Sequence, residues 1–332
     1  MLQLICPRHK SSLQYLSDEA LYCCPSGCRF PIINEIPRFV RIDNYAASFG
    51  VQWNEYRTTQ LDSRTGLTIS RDRLIRMLGG SLDVVKGKNI LEAGCGAGRF
   101  SEILLSAGGN LNAIDLSSAV EANYDNCGSF KNYSVCQANI LELPFEPKQF
   151  DIVLCIGVIQ HTPNPEQTIE ALCDQVKPGG LLVIDHYTYG YPSTFSRRLL
   201  RNLLINSPVG IAMTFCRSLT SLLWPLHRLL WKLRKWPLIG RIRASLLLVS
   251  PLVDYHDAYF QLGPELLKAW TALDTHDTLT DRYKHLRGAD EIRKHLYYCG
   301  MIDIEAYYAG NGVEARARKP IDEEHPGQSC QA

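Results

Sequence analysis

The chain has 332 residues, 45% of them apolar and 21% charged, so it can bury a substantial core and is too apolar for global disorder. Its net charge of +1 argues against wholesale nucleic-acid binding, although the charge is unevenly spread. Twelve cysteines, no visible signal peptide after Met1 and no uninterrupted apolar run of membrane-spanning length lead to the expectation of a cytoplasmic chain with reduced thiols, some of them on metal.

Residues 1–41 read as a small separate module. Cys6-Pro-Arg-His9 and Cys24-Pro-Ser-Gly-Cys28 are compact ligand knuckles fourteen residues apart. Four such donors suit a tetrahedral Zn²⁺, and a piece this small needs a staple. The pattern departs from a clean CxxC pair: His9 replaces one cysteine, the second knuckle has an extra residue, and Cys23 competes with Cys24. A structural zinc on Cys6, His9, Cys24 and Cys28 and a hairpin that has lost its metal both fit. Residues 42–86 form a helical prelude. Tyr45, Phe49, Trp53 and Tyr56 recur on one helical face, and a second helix is expected from Ser70 as N-cap to Leu78.

A core follows over residues 87–187. Asn89–Ala93 reads as a buried strand, Gly94, Gly96 and Gly98 as a tight turn, and Arg99–Ala107 as a helix. Glycines let backbone approach a ligand closely, and a helix start favours an anionic group. Asn110–Ile114 is a second strand ending in Asp115, an acid placed to accept ribose hydroxyls. The dinucleotide fingerprint fails, because its third glycine would be Arg99. Ser117–Asn126 is a helix and Tyr133–Gln137 a strand, followed by Asn139 and Ile140. Ile152–Ile156 is a strand that exits through Gln160-His161-Thr-Pro163. Glu166–Val176 is a helix stopped by Lys177-Pro-Gly-Gly180, and Leu181–Ile184 is a strand ending in Asp185-His186-Tyr187.

An insertion over 188–287 separates this core from its completion at 288–320. From His186 to Val253 there are ten Lys or Arg and no Asp or Glu. Leu222, Leu226, Leu229 and Leu233 form an apolar stripe beside a basic one of Arg228, Lys232 and Lys235. Two readings fit: peripheral membrane contact through 217–243, or a cap whose apolar face packs on the core. The insertion ends with Asp254-Tyr-His256-Asp257 and Asp274-Thr-His276-Asp277, which could orient an acceptor, bind a metal or pin helices. Ala289–Cys299 is helical. Met301–Tyr308 and Gly312–Arg318 are strands joined by Gly310-Asn311-Gly312. Residues 321–332 are a tail.

Glu92-x-Gly94-x-Gly96-x-Gly98 with Asp115 ending the next strand resembles motif I of class I S-adenosylmethionine (SAM) methyltransferases. Phe150-Asp-Ile-Val-Leu, Gln160-His-Thr-Pro and Lys177-Pro-Gly-Gly-Leu-Leu-Val-Ile are similar to the later motifs, in order, over roughly 88–187. The tail of the first module resembles zinc ribbons found ahead of some bacterial methyltransferases. The resemblance implies an α/β fold: a doubly wound, seven-stranded Rossmann-like sheet with a C-terminal antiparallel hairpin, carrying the ribbon and a helical insertion. It implies SAM as cofactor. Glu92 and the Gly94–Gly98 turn would hold its amino-acid part, Asp115 the ribose, and Leu116, Asn139 and Ile140 the adenine. The family usually has Asp where Asn139 stands; an amide carbonyl accepts the same hydrogen bond.

SAM carries an activated methyl, so the protein must align the acceptor, exclude water and take a proton from an O or N acceptor. Sites in open α/β sheets lie beyond the carboxyl ends of the strands, which nominates His161, His186 and Tyr187. The expected activity is methyl transfer to a small-molecule or lipid- or glycan-linked acceptor. The alternatives are a SAM-binding chain with a degenerate acceptor site and a non-enzymatic module that docks through the ribbon and basic cap.

Overall fold

The computed structural model describes residues 3–41, 44–191, 193–310 and 312–321. Four short strands, β1 (Gln14–Leu16), β2 (Leu21–Cys23), β3 (Arg29–Ile33) and β4 (Ile36–Pro37), form an antiparallel sheet in sequence order. This segment does not stand apart as a separate module. Cys6, Cys24, Phe30 and Phe39 share one buried cluster with Leu143, Phe145 and Phe150. The Ile5 N–H donates to the Pro144 carbonyl at 3.0 Å and the Phe39 N–H to the Gln137 carbonyl at 2.8 Å. Four short strands cannot enclose a core alone, so they borrow the apolar surface of the larger sheet.

Three helices follow: α1 (Ala47–Glu55), α2 (Asp62–Thr65) and α3 (Ile69–Met77). Tyr45 and Tyr56 flank α1 instead of lying within it. Ser70 is not the cap of α3. It sits in the first turn, and the free N–H groups of Ser70 and Arg71 are taken by the Asp62 carboxylate at 3.0 and 2.8 Å.

The main sheet contains β5 (Asn89–Ala93), β6 (Asn110–Asp115), β7 (Tyr133–Gln137), β8 (Phe150–Cys155), β9 (Val176–Tyr187), β10 (Ile302–Ala309) and β11 (Gly312–Arg318). Their spatial order is β10-β11-β9-β8-β5-β6-β7, and β11 alone runs antiparallel to its neighbours. Ile90, Leu91, Ile114, Val153 and Leu154 are almost fully buried, as expected for strands covered on both faces. The covering helices are α4 (Ser101–Ser106), α5 (Ala119–Cys127), α6 (Pro165–Gln175) and α12 (Ala289–Tyr298). Lys177–Gly180 ends α6 as expected but lies within β9. The pairing jumps from Phe150–Val176 to Ile152–Leu181, so these four residues form an irregularity in the ladder. The hairpin turn at Asn311 and the tail from Glu323 lie outside the described residues.

The insertion folds as α7 (Phe195–Leu204), α8 (Val209–Lys232), α9 (Pro237–Val249), α10 (His256–Tyr259) and α11 (Gly263–Thr280). The last of these packs against α7, α8 and α1. By length and composition α8 is long and apolar enough to cross a membrane, although polar residues interrupt its apolar run. Its buried face is Ala212, Met213, Cys216, Thr220, Trp224 and His227. The leucine stripe does not pack on the core, contrary to one of its two readings: Leu222 is 75% exposed and Leu229 54%. The first His-Asp set and His276 of the second tie helices together. Asp254 accepts from His227 Nδ1 at 2.7 Å and His256 Nδ1 at 3.1 Å, and Arg243 spans Asp254 and Asp257. His276 Nδ1 donates to Gln52 Oε1 at 2.6 Å, joining α11 to α1.

Candidate active site

A cavity of about 340 Å³ lies at the carboxyl ends of β5, β6, β8 and β9, roofed by α1, α3 and α11. One wall is the glycine turn. Gly94 has φ +82°, and a Cβ there would lie 2.2 Å from the Val158 side chain; a Cβ on Gly96, at φ +49°, would lie 3.3 Å from the Trp53 ring. Only glycine permits this backbone this close to both neighbours. Asp115 stands beside the turn. One carboxylate oxygen accepts the Gly96 N–H at 3.0 Å, and the other accepts the N–H and hydroxyl of Ser117 at 2.8 and 2.6 Å. Leu116, Asn139 and Ile140 continue this wall.

Two residues expected at the cofactor do not reach the cavity. Gly98 packs against Cys127 and Asn123. Glu92 is buried behind the turn and accepts the Ser101 hydroxyl at 2.6 Å, while Ser101 receives Asn123 Nδ2 at 3.0 Å. Burial pushes the Glu92 carboxyl up to about 8, although the Ser101 bond opposes it. An acid whose pKa is higher folded than unfolded stabilises the fold less as pH rises from the unfolded value towards the folded one. Stability should therefore decline from about pH 4.5 to 8 on this account. In Glu92→Gln that decline should flatten, as read by Tm against pH; an unchanged slope would place the titration elsewhere.

The cavity is also lined by His161, Tyr187 and, from α11, Trp270, Asp274 and Asp277. His161 Nδ1 lies 3.1 Å from the Tyr283 carbonyl and 3.5 Å from Asp281 Oδ2, and its ring meets Phe49 and Tyr187, each at 5.3 Å. Burial depresses its pKa, with Asp281 pulling the other way. Asp281 is itself paired with Arg201 at 2.7 Å and Lys284 at 3.0 Å. Tyr187 stacks on Tyr191 at 4.1 Å. His186, nominated with these, points away from the cavity: it is buried on the other face of β9, with Nδ1 on the Tyr187 carbonyl at 2.8 Å. The period of two along a strand explains this, since neighbours project to opposite faces.

The roof contributes residues that motif reading missed or left without a role. Trp270, Asp274 and Asp277 recur at i, i+4 and i+7, one helical face whose acids are visible in the sequence once the helix is known. Burial raises Asp274 to about 7, against its hydrogen bond from Tyr255, and Asp277 to about 6. Arg73 pairs with Asp185 at 2.5 Å and Arg76 with Glu314 at 2.6 Å, fastening α3 across the strand ends. These pairs span more than a hundred residues, and no local spacing announces them.

Away from the cavity, Cys6, His9, Cys24 and Cys28 converge, with their ligand atoms all within 4.8 Å of one another. Among the described residues no other such group is found, and Cys23 is not part of it. His9 Nδ1 lies 3.6, 3.4 and 3.5 Å from the sulfurs of Cys6, Cys24 and Cys28. The N–S edge of a tetrahedron with ordinary zinc bond lengths is ~3.6 Å. The donor set and its spacing therefore fit zinc.

Residues 91–184 match the family of methyltransferase domains. Ubiquinone biosynthesis O-methyltransferase of Azoarcus sp. is 35% identical over 98 residues, covering 28% of this chain and 42% of that protein. The enzyme of the same name from Hydrogenovibrio crunogenus is 34% identical over 113 residues, covering 33% and 46%. The chain thus spans less than half the length of these curated relatives. Among solved structures, phosphoethanolamine N-methyltransferase 2 of Haemonchus contortus, bound to SAM, has a TM-score of 0.42 at 15% identity, covering 76% of this chain and 52% of that one. A SAM-dependent methyltransferase of Mesorhizobium loti has a TM-score of 0.32 at 22% identity, covering 37% and 56%. Residues 91–184, which match the methyltransferase domain family, contain the glycine turn, and the strand order with its one antiparallel member is that of the class I methyltransferase fold.

Proposed function

We propose that the protein is a SAM-dependent methyltransferase acting on a hydroxyl of a small-molecule acceptor, and that its first module holds a structural zinc on Cys6, His9, Cys24 and Cys28. The observation that carries the enzymatic reading is one cavity lined by the glycine turn, Asp115 and His161 together. SAM, when bound, supplies a methyl already activated by its sulfonium. The Gly94–Gly96 backbone allows the close approach its amino-acid end needs, Asp115 accepts the ribose hydroxyls, and Leu116, Asn139 and Ile140 flank the adenine. His161 takes the acceptor proton, and Tyr187 and Trp270 wall out water. Oxygen as the acceptor atom rests on the names of the curated relatives. The aromatic walls suit an acceptor with an apolar body.

Calorimetry with SAM tests the cofactor assignment. Asp115→Ala should weaken binding by about 1.5–3 kcal/mol, the scale of lost hydrogen bonds involving a charged group. Affinity unchanged by that substitution would remove Asp115 from the ribose. Incubation with methyl-labelled SAM and a panel of phenols and alcohols then tests transfer: label on oxygen supports the reaction, and SAM binding without label on any acceptor would favour the degenerate alternative.

A further inference from the structure

Among the described residues, more than half of the exposed large apolar side chains fall between residues 195 and 249, one sixth of the chain's length. On α8 and its C-cap Leu233, the residues Ile211, Phe215, Leu222, Leu226, Leu229 and Leu233 recur at i, i+4, i+11, i+15, i+18 and i+22, one face of a helix turned to solvent. Phe195 and Leu203 on α7 and Leu238 and Leu248 on α9 are likewise more than 60% exposed. Single exposed leucines are ordinary, but a concentration on three consecutive helices marks a contact surface.

Charge segregates with it. Of the ten cations between His186 and Val253, Arg201, Arg217, Arg234 and Arg243 pair with acids, and Arg197 is spent on the Pro251 and Leu252 carbonyls. Arg198, Arg228, Lys232, Lys235 and Arg241 have no acid within ion-pair distance among the described residues, and no acid occurs in the segment to balance them. On α8 and just past its end, Arg228, Lys232 and Lys235 flank the apolar stripe.

We infer that the outer face of α7–α9 seats the protein on an anionic lipid surface. A nucleic acid would satisfy the cations but not the leucines, and a second copy of this chain would set the same five cations against themselves. A bilayer boundary offers acyl chains to the stripe and phosphates to its flank. The helix lies along the surface and does not span it, because its inner face is covered by protein and carries His227, bonded to Asp254 and Ser250. This inference is independent of methyl transfer.

The test is co-sedimentation of the full chain with vesicles. Binding is expected to phosphatidylcholine–phosphatidylglycerol vesicles at low ionic strength, with weak binding to phosphatidylcholine alone and release at high salt. Arg228→Glu, Lys232→Glu and Lys235→Glu together should lower the partition coefficient at least about a hundredfold. Leu222→Ser with Leu229→Ser should weaken it without changing its salt dependence, and all these variants should keep parental SAM affinity, a check on folding. No sedimentation of the parent at low salt would overturn the inference. So would a stable dimer in light scattering that the leucine variants dissociate, since the face would then be a contact between copies.

Discussion

Turnover of His161→Ala should fall by about two to four orders of magnitude, the range for losing a general base, while SAM affinity stays at the parental value. The expectation rests on tautomer and burial. The Tyr283 carbonyl can only accept, so His161 Nδ1 must carry the hydrogen across the 3.1 Å contact, leaving Nε2 free to receive a proton. Burial holds the imidazole's pKa below its ordinary 6.5, so the ring is neutral at pH 7. The rate should therefore rise with pH through that depressed value and then level off, and the alanine variant should lack this limb. Parental turnover, or an unaltered limb, in His161→Ala would pass the base role to another group, with Asp277 next by position.

Loss of the proposed zinc is the second large expected effect. Protein purified without chelator should carry close to one zinc per chain, and Cys6→Ser should release it. Apparent zinc binding energies in small finger peptides reach ~10–16 kcal/mol, and such modules unfold without metal. Here the loss should be partial, because Phe30 and Phe39 also belong to the buried cluster that includes Leu143 and Phe145. Hydrogen exchange should show β1–β4 opening first, together with the loop at Asn139 and Ile140 that follows β7. Metal analysis that finds no zinc would leave a cysteine-bearing hairpin held by packing alone.

The strand–glycine–helix start and the order of the later motifs were legible because each depends on residues close in sequence: Gly94 at a positive φ, Asp115 two residues before Ser117, and the α6 stop at Lys177–Gly180. The expectation for Glu92 erred because a strand acid reads the same whether it faces the ligand or, as here, Ser101. That for His186 erred by one residue of strand period. The leucine stripe of α8 was visible, but not its direction. The face that packs inward mixes small and polar residues, Ala212, Cys216, Thr220 and His227, which hydropathy does not single out. The roof of the cavity was least legible, since Arg73–Asp185 and Arg76–Glu314 join segments far apart in the chain.

The docking of the first module onto β7 has a consequence for solubility. Sheets of this kind end in a strand whose outer N–H and C=O groups template the pairing of foreign chains. Here Arg38 bridges Gln137 in parallel, the Phe39 N–H takes the Gln137 carbonyl, and Arg38 also reaches the Gln137 side chain at 3.3 Å. The first four strands therefore act as a guard over the rim of the sheet next to Asn139 and Ile140. Shorn of them, the catalytic fold would keep its cavity residues and acquire an adhesive border.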